Sequence, residues 1–271
     1  MVTSRELLFS LKRGLMMISV KLPNQSAIIT VMTKAAVKAS KGLLRDFNEL
    51  ENLQVSVKTN KTFVTSADLR TDKLLRKDLS FARPSYSMLT EESGEILGED
   101  PSFKWIVDPL DGTFNYMHGF PHWAISIALK KNEEVIAAVT YDPVKNEMFW
   151  AEKGCGAYLN DRKIRVSSKN KLDDLLILLG NLAGTSKSLT QSIRRSGSMT
   201  LDMAYLAAGR VDVLYCAPDS NEWDIAAGML LIKEAGGVLL DKSGKPVKSG
   251  KDLAIMTNIR LCAMAPKLVR M

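Results

Sequence analysis

The hexapeptide Asp108-Pro109-Leu110-Asp111-Gly112-Thr113 constrains the fold of this chain more than any other stretch. Two carboxylates three residues apart, stiffened by a proline and released by a glycine, cannot both enter an apolar core. An ionised carboxylate removed from water without a partner costs several kcal/mol. The fold must therefore bring this pair to solvent, to a cage of hydrogen-bond donors or to a cation. A hard divalent cation, which takes oxygen ligands, fits the pair best.

The surrounding sequence places these acids at the ends of regular elements. Phe103–Val107 is β-branched and aromatic, and reads as a strand that delivers Asp108. Pro84–Leu89 reads as a second strand, running into Thr90-Glu91-Glu92-Ser93-Gly94. Far downstream, Trp223-Asp224 opens an apolar helix, Ile225–Ala235, closed by Gly236-Gly237. Upstream, Ser26 is suited to cap a long amphipathic helix reaching about Phe47, a short strand follows over Leu53–Lys58, and Asp68 falls at the start of a helix over Leu69–Leu79. Trp123–Lys130, Glu134–Tyr141 and Glu147–Ala151 alternate as the strands of an antiparallel meander. Gly154-Cys155-Gly156 lacks the third glycine of a dinucleotide loop and reads as a hairpin or bulge. A polar stretch, Ser167–Lys171, marks a domain boundary before the strand Leu175–Leu179. Helix Ser198–Ala208 and strands Val211–Tyr215, Val238–Leu240 and Leu253–Met256 complete the set. The expected division is residues 1–22 as a disordered extension, 23–166 as an N-terminal α+β domain and 167–271 as a C-terminal α/β domain.

Composition excludes several other classes. No run of about 18 uninterrupted apolar residues exists, because Lys12, Arg13 and Gly14 break Leu7–Val20, so no membrane span is expected. Cys155, Cys216 and Cys262 are odd in number and far apart, which fits neither a disulfide framework nor a structural zinc and points to a reducing cytoplasm. Residues 1–61 carry ten Lys/Arg against four Asp/Glu, so most of the net charge of +7 resides there. A solvated basic face accounts for this charge, as does attraction of phosphorylated substrates or nucleic acid. The first sixteen residues are basic and mildly amphipathic like a targeting peptide, yet Met16-Met17 just ahead of the first folded element leaves translation from that point open.

Taken singly, each acid has an ordinary explanation; Asp68, for instance, suits a helix cap. Taken together, Glu91, Asp108, Asp111 and Asp224 all occupy strand-exit or helix-entry positions, which is how remote carboxylates converge around Mg²⁺. Gly112 lets the backbone pass close to an anion, and Thr113 begins a helical turn whose N–H groups could take phosphate. The pattern reads as metal-assisted phosphoester hydrolysis. No GxSxG elbow is present, and no cysteine has a histidine nearby in sequence. The histidines, His118 and His122, are expected to be structural residues near the rim.

Glu91-Glu92-Ser93, the run Trp105–Asn115 containing Asp108-Pro-Leu-Asp111-Gly-Thr113, and Trp223-Asp224-Ile-Ala-Ala-Gly228 together resemble the inositol monophosphatase family, in particular its bacterial SuhB-type members. The likeness runs in order from about Ala27 to the C-terminus. It implies a sugar-phosphatase fold of layered sheets and helices, with the N-terminal domain built on an antiparallel sheet. By the same resemblance Glu91, Asp108, Asp111, Asp224 and the Leu110 carbonyl hold two Mg²⁺ ions, and Asp68 orients a third, weakly held ion and its waters. Glu91 and Thr113 would align the attacking water, and Gly112 and Thr113 would hold the phosphate. Asp111 and Asp224 would also touch substrate hydroxyls, Gly197-Ser198 would line the alcohol side, and Lys58 would approach the phosphate. The resemblance further implies Li⁺ sensitivity, a homodimer and a small phosphomonoester substrate such as inositol 1-phosphate. A binding role beside the transcription machinery, with RNA or RNA polymerase as partner, is the alternative of another class.

Three positions depart from the family pattern. Thr90 replaces the glycine that usually precedes the paired glutamates, the sugar-contacting acid falls near Cys216, and the segment between Leu179 and Arg194 is short for the helix and strand relatives carry there. The alcohol is thus left open among an inositol or other polyol phosphate, fructose 1,6-bisphosphate, histidinol phosphate and 3′-phosphoadenosine 5′-phosphate. A bisphosphate would call for extra cations, for which Arg194-Arg195 is the compact candidate in the C-terminal half.

Overall fold

The computed structural model describes residues 25–49, 55–57, 63–180, 192–216, 220–247 and 254–262. Lys58 and the extension expected over residues 1–22 lie outside them.

Ser26 caps helix α1, Ala27–Asn48, by accepting a hydrogen bond from the Ile29 amide at 3.3 Å. Ile29, Met32, Ala35, Ala36, Ala39 and Leu43 recur at helical spacing and form its buried face. Strands β1 (Val55–Val57) and β2 (Phe63–Thr65) pair as a small ribbon, and helix α2, Ser66–Ala82, follows directly. Both α1 and α2 pack on an eight-stranded sheet built from β3 (Tyr86–Thr90), β4 (Gly94–Ile96), β5 (Asp100–Asp111), β6 (Ala124–Lys131), β7 (Glu134–Asp142), β8 (Glu147–Glu152), β9 (Gly156–Leu159) and β10 (Arg162–Ile164). Its spatial order is β10-β9-β8-β7-β6-β5-β3-β4. Every pair is antiparallel except β3 with β5, so the antiparallel sheet expected from sequence contains one parallel step.

That step and one irregularity position the site. Because β3 and β5 run the same way, with Thr90 beside Val107, their C-terminal ends emerge together and Glu91 follows β3 where Asp108 follows Val107. In β5, Asp108 pairs with Ser126 but Asp111 pairs with Ala124, a shift of one residue against β6. Residues three apart on a regular strand face opposite sides of the sheet; the extra bulged residue returns them to one side. Pro109 lies inside the bulge, where its missing N–H costs no ladder bond.

The opposite face of the large sheet is covered by helices α4 (Met199–Ala207) and α5 (Glu222–Glu234). A second sheet, ordered β12-β11-β13-β15-β14, lies beyond them and comprises β11 (Leu176–Leu179), β12 (Ser192–Arg194), β13 (Val213–Tyr215), β14 (Gly237–Leu240) and β15 (Ile255–Asn258). One core joins Ala138 and Phe149 of the large sheet, Leu201, Met203 and Leu231 of the helices, and Leu214 and Met256 of the second sheet. Residue 167, where a domain boundary is expected, lies between β10 and a 3₁₀ turn at Leu172–Asp174, and one apolar core includes residues from both sides of it. A strand is present at Ser192–Arg194 despite the short segment before it. Among the described residues, no helix is long and apolar enough to cross a membrane.

Candidate active site

The site gathers at the C-terminal end of β5. Asp108 is 1% exposed, and its Oδ1 accepts from the Leu110 amide at 3.0 Å. Gly112, with φ of +90°, ends the strand in a left-handed conformation and opens the one-turn helix α3, Thr113–Met117. A Cβ at position 112 would lie 3.0 Å from the His122 carbonyl oxygen and 3.2 Å from Ser198 Cβ, so both backbone twist and space demand glycine. Thr113 Oγ1 donates to the Leu110 carbonyl at 2.9 Å and reaches Asp68 Oδ2 at 3.5 Å. Beneath the turn, Tyr116 donates to the Leu43 carbonyl of α1 at 2.8 Å and packs edge-on against Trp123, with Phe47 beside both rings.

Glu91 is half-buried at the tip of the β3–β4 hairpin, where its amide donates to the Val107 carbonyl at 3.2 Å. The same tip is tied to α2, because Ser93 Oγ donates to buried Asp72 Oδ2 at 2.6 Å and Arg76 Nε donates to that oxygen at 2.8 Å. Asp68 lies one turn earlier on α2; it is buried inside the first turn rather than standing before the helix as a cap. Asp224 occupies the first turn of α5, and its Oδ2 accepts from the Asn221 amide at 2.7 Å. Lys130 of β6 donates to Glu222 at 2.6 Å and fixes the start of that helix against the large sheet.

Asp111 is held most completely. Its Oδ2 accepts from Ser198 Oγ at 2.6 Å, from the Thr200 amide at 2.7 Å and from Thr200 Oγ1 at 2.7 Å. Ser198 caps α4, so Asp111 meets the amino end of a nine-residue helix, where backbone N–H groups favour negative charge. The sequence reading named Ser198 but missed Thr200. A hydroxyl two residues into a helix ordinarily signals only local capping, and nothing in the sequence pairs it with an acid 89 residues away.

The five acids act on one another. Burial first, then the charges of Glu91, Asp111, Asp224 and Asp68, raise the Asp108 carboxyl well above the usual carboxylate range. Burial and then Asp111 push Asp224 up to about 7, against the Asn221 hydrogen bonds that lower it. Among the described residues, no three Asp, Glu, His or Cys side chains already form a preassembled cation cage. The set nevertheless fits a hard cation: all the donors are oxygens, and the leading charges acting on buried Asp108 are all negative.

A cleft of about 460 Å³ opens beside Asp111 and Asp224. Asn115, Arg195, Ser196, Gly197, Ser198 and Asp202 line it, together with Ser220 and Asn221. The structure therefore brings Asp68, Glu91, Asp108, Leu110, Asp111, Gly112, Thr113, Gly197, Ser198 and Asp224 to one region, the cleft and the end of β5. Cys216 is buried, with Sγ 3.3 Å from Ser220 Oγ, so it lies behind the cleft wall.

Layered sheets and helices here place a carboxylate-rich cleft at the end of a bulged strand, an arrangement suited to a phosphatase. The model of the inositol monophosphatase family matches residues 24–269, and the chain belongs to that family. It is 45% identical over 241 residues to an inositol-1-monophosphatase of Rhizobium meliloti, covering 83% of this chain and 90% of the relative. It is 42% identical over 233 residues to a Nus factor SuhB of Xylella fastidiosa, covering 81% and 84%. The crystal structure of the extragenic suppressor protein suhB from Bartonella henselae superposes with a TM-score of 0.83 at 40% identity, covering 90% of this chain and 99% of that one.

Proposed function

We propose that this phosphatase is a Mg²⁺-dependent phosphomonoesterase acting on inositol 1-phosphate or a related small polyol phosphate. The reading rests above all on the convergence of Glu91, Asp111, Asp224 and Asp68 around buried Asp108. The carboxylates of Glu91, Asp108, Asp111 and Asp224, with the Leu110 carbonyl, would hold the cations, and Asp68 would orient a further, weakly held one. Bound there, divalent cations supply Lewis acidity, polarising the phosphoryl group and making water more acidic.

The chain's own groups do the rest. Oδ2 of Asp111 is taken by three donors, so Oδ1 is the oxygen with which that residue would hold a cation. Thr113 Oγ1 spends its proton on the Leu110 carbonyl, which leaves its lone pairs to accept from a water. Glu91, on the neighbouring hairpin, aligns that water together with Thr113 and takes its proton as it attacks phosphorus in line; the P–O bond opposite the water breaks, and the alkoxide leaves as the alcohol after taking a proton from solvent. The Gly112 and Thr113 amides hold the phosphate, and Ser198 and Gly197 border the esterified alcohol. Direct attack requires no phosphorylated protein intermediate.

The test is phosphate release with Mg²⁺ across inositol 1-phosphate, fructose 1,6-bisphosphate, histidinol phosphate and 3′-phosphoadenosine 5′-phosphate, each with and without Li⁺. Preference for the first, abolished by EDTA and depressed by Li⁺, is the expected result. Failure to hydrolyse any of the four would sink the reading. Gel filtration of the same preparation tests the homodimer that the family implies.

A second reading draws on the relatives named Nus factor SuhB. In it the chain contacts RNA polymerase or RNA, and its basic N-terminal third supplies the electrostatic attraction. Recovery of RNA polymerase subunits with an Asp111→Asn variant supports that role separately from chemistry; no recovery with either the variant or the wild type counts against it.

A further inference from the structure

A hydrogen-bond circuit separate from the acid cluster joins the two walls of the cleft. Asn115 Nδ2 donates to the His122 carbonyl and to the Ser196 carbonyl, both at 2.7 Å. The His122 imidazole Nε2 lies 3.1 Å from Asp202 Oδ1, which also accepts from Ser196 Oγ. Asp202 is 2% exposed and lies on α4, whose first turn holds Asp111 through Ser198 and Thr200. Gly197, between these anchors, has φ of +90°, and a Cβ there would lie 2.9 Å from the Asn115 side chain. The turn is thus clamped on one side by Asn115 and on the other by Asp202.

Asp202 is costly to bury. Removing a carboxylate from water is unfavourable unless the charge is paired and hydrogen-bonded, and an apolar residue at this helical position would pack without that cost. Its partners are a histidine 80 residues earlier, which itself reaches across from the loop after α3, and the serine that starts the cleft wall. With Asp202 ionised, Nε2 of His122 is the donor of that bond. The bond crosses between the segment carrying the acids and the segment facing the rest of a ligand. Tyr205 packs edge-on to the His122 ring, 5.6 Å between centroids.

We infer that His122 and Asp202 are a positioning pair that sets the Ser196–Ser198 turn against the end of β5, and thereby fixes how the enzyme discriminates among the alcohols of its substrates. Neither side chain is assigned contact with the reacting atoms. The inference rests on the phosphomonoesterase reading, because only then does this wall face an alcohol. It assigns selectivity to a contact within the cleft wall, between part-buried His122 and buried Asp202, and not only to the side chains that meet the ligand.

Two measurements on His122→Phe, His122→Gln and Ser196→Ala test the pair. The first is amide hydrogen exchange at Thr200, Leu201 and Asp202, whose N–H groups donate to Asp111 Oδ2, Ser198 Oγ and the Ser198 carbonyl. Loss of the clamp is expected to speed exchange there about tenfold in His122→Phe and Ser196→Ala, while His122→Gln, which keeps a donor at the Nε2 position, stays near wild type. The second is the ratio of kcat/KM for inositol 1-phosphate to that for p-nitrophenyl phosphate, an ester without alcohol hydroxyls. That ratio is expected to fall about tenfold in His122→Phe and to recover in His122→Gln. Unchanged exchange in both disrupting variants overturns the pair, and so does altered exchange with an unchanged ratio in an active enzyme. A wild-type protein that hydrolyses neither ester defeats the phosphomonoesterase reading instead, while the exchange measurement still decides whether the clamp exists.

Discussion

Ser198 Oγ lies 2.6 Å from Asp111 Oδ2, a contact between residues 87 apart that joins the bulged end of β5 to the cap of α4. Thr200 adds its amide and its hydroxyl to the same oxygen. One carboxylate oxygen is therefore fully occupied by protein, which fixes the plane of the group and leaves the other oxygen for a ligand. Under the proposed function Asp111 holds a cation, and residues that orient a metal ligand in this way commonly contribute ten- to a hundredfold in affinity or activity.

The double variant Ser198→Ala/Thr200→Val keeps only the backbone donor to Asp111. Its apparent Mg²⁺ affinity is expected to fall by about one to two orders of magnitude, while saturating Mg²⁺ restores much of the turnover. Mg²⁺ titration of phosphate release measures this; an activation curve within twofold of wild type would show that Asp111 needs neither hydroxyl.

Asp108 predicts a trade between stability and function. Its ionisation is opposed by burial and by four other acids. Asparagine has the same shape and can still accept from the Leu110 amide through its carbonyl oxygen. Asp108→Asn is therefore expected to raise the melting temperature in EDTA by several degrees, since about 1 kcal/mol corresponds to roughly 2–4 °C in a chain of this size. The same change should lower Mg²⁺-dependent turnover by orders of magnitude and abolish stabilisation by Mg²⁺. A variant less stable than wild type in EDTA would mean that the acid cluster carries no repulsive strain.

The elements that could be read directly from sequence are those that local physics decides. Ser26 predicted the start of α1 because a serine before an apolar periodic run has one favourable use, and the meander β6–β7–β8 was visible because each strand alternates and each connection is short and polar. The acids were visible because charges at strand ends have few explanations. What escaped was set by partners distant in sequence. The one-residue bulge between Asp108 and Asp111 exists only against β6, and the parallel pairing of β3 with β5 leaves no mark in either strand. Thr200 and the Asp202–His122 contact depend on how α4 meets the end of β5, which no local pattern encodes. Asp68, read as a cap at a helix start, lies inside α2 because the helix begins two residues earlier at Ser66.

Gly112→Ala tests the backbone at the head of the site. Alanine at φ of +90° is strained, and its methyl group would press on the His122 carbonyl oxygen at 3.0 Å and on Ser198 Cβ at 3.2 Å. The strain alone costs about 1–3 kcal/mol, which corresponds to a fall of roughly 2–12 °C in melting temperature. Because Ser198 also holds Asp111, turnover should fall by more than the stability loss accounts for. Calorimetry together with phosphate release on the folded variant checks both; an alanine variant with wild-type melting and turnover would remove the steric requirement at this turn.

The last expectation concerns pH and takes its sign from Asp224. Its folded-state carboxyl is pushed up to about 7, above the ordinary value of 3.8 that applies when the chain is unfolded. Between those values the folded protein holds a proton that the unfolded chain has released. Linkage then makes the contribution of this group fall as pH rises from about 4 to about 7, by at most roughly 1.4 kcal/mol per pH unit, with the loss complete above 7. Asp224→Asn lacks the titration, so in EDTA it should melt modestly above wild type at pH 5, where roughly 1.4 kcal/mol is already lost, and further above it at pH 8. A cation that binds the ionised carboxylate reverses the order: with saturating Mg²⁺ at pH 8 the wild type gains stability and the variant gains less. Mg²⁺ should also raise the wild-type melting temperature more at pH 8 than at pH 5, where protons compete for the same oxygens. Scanning calorimetry at the two pH values, with EDTA and with Mg²⁺, reads all four states; a Mg²⁺ effect that is equal at both pH values would separate Asp224 from the cation site.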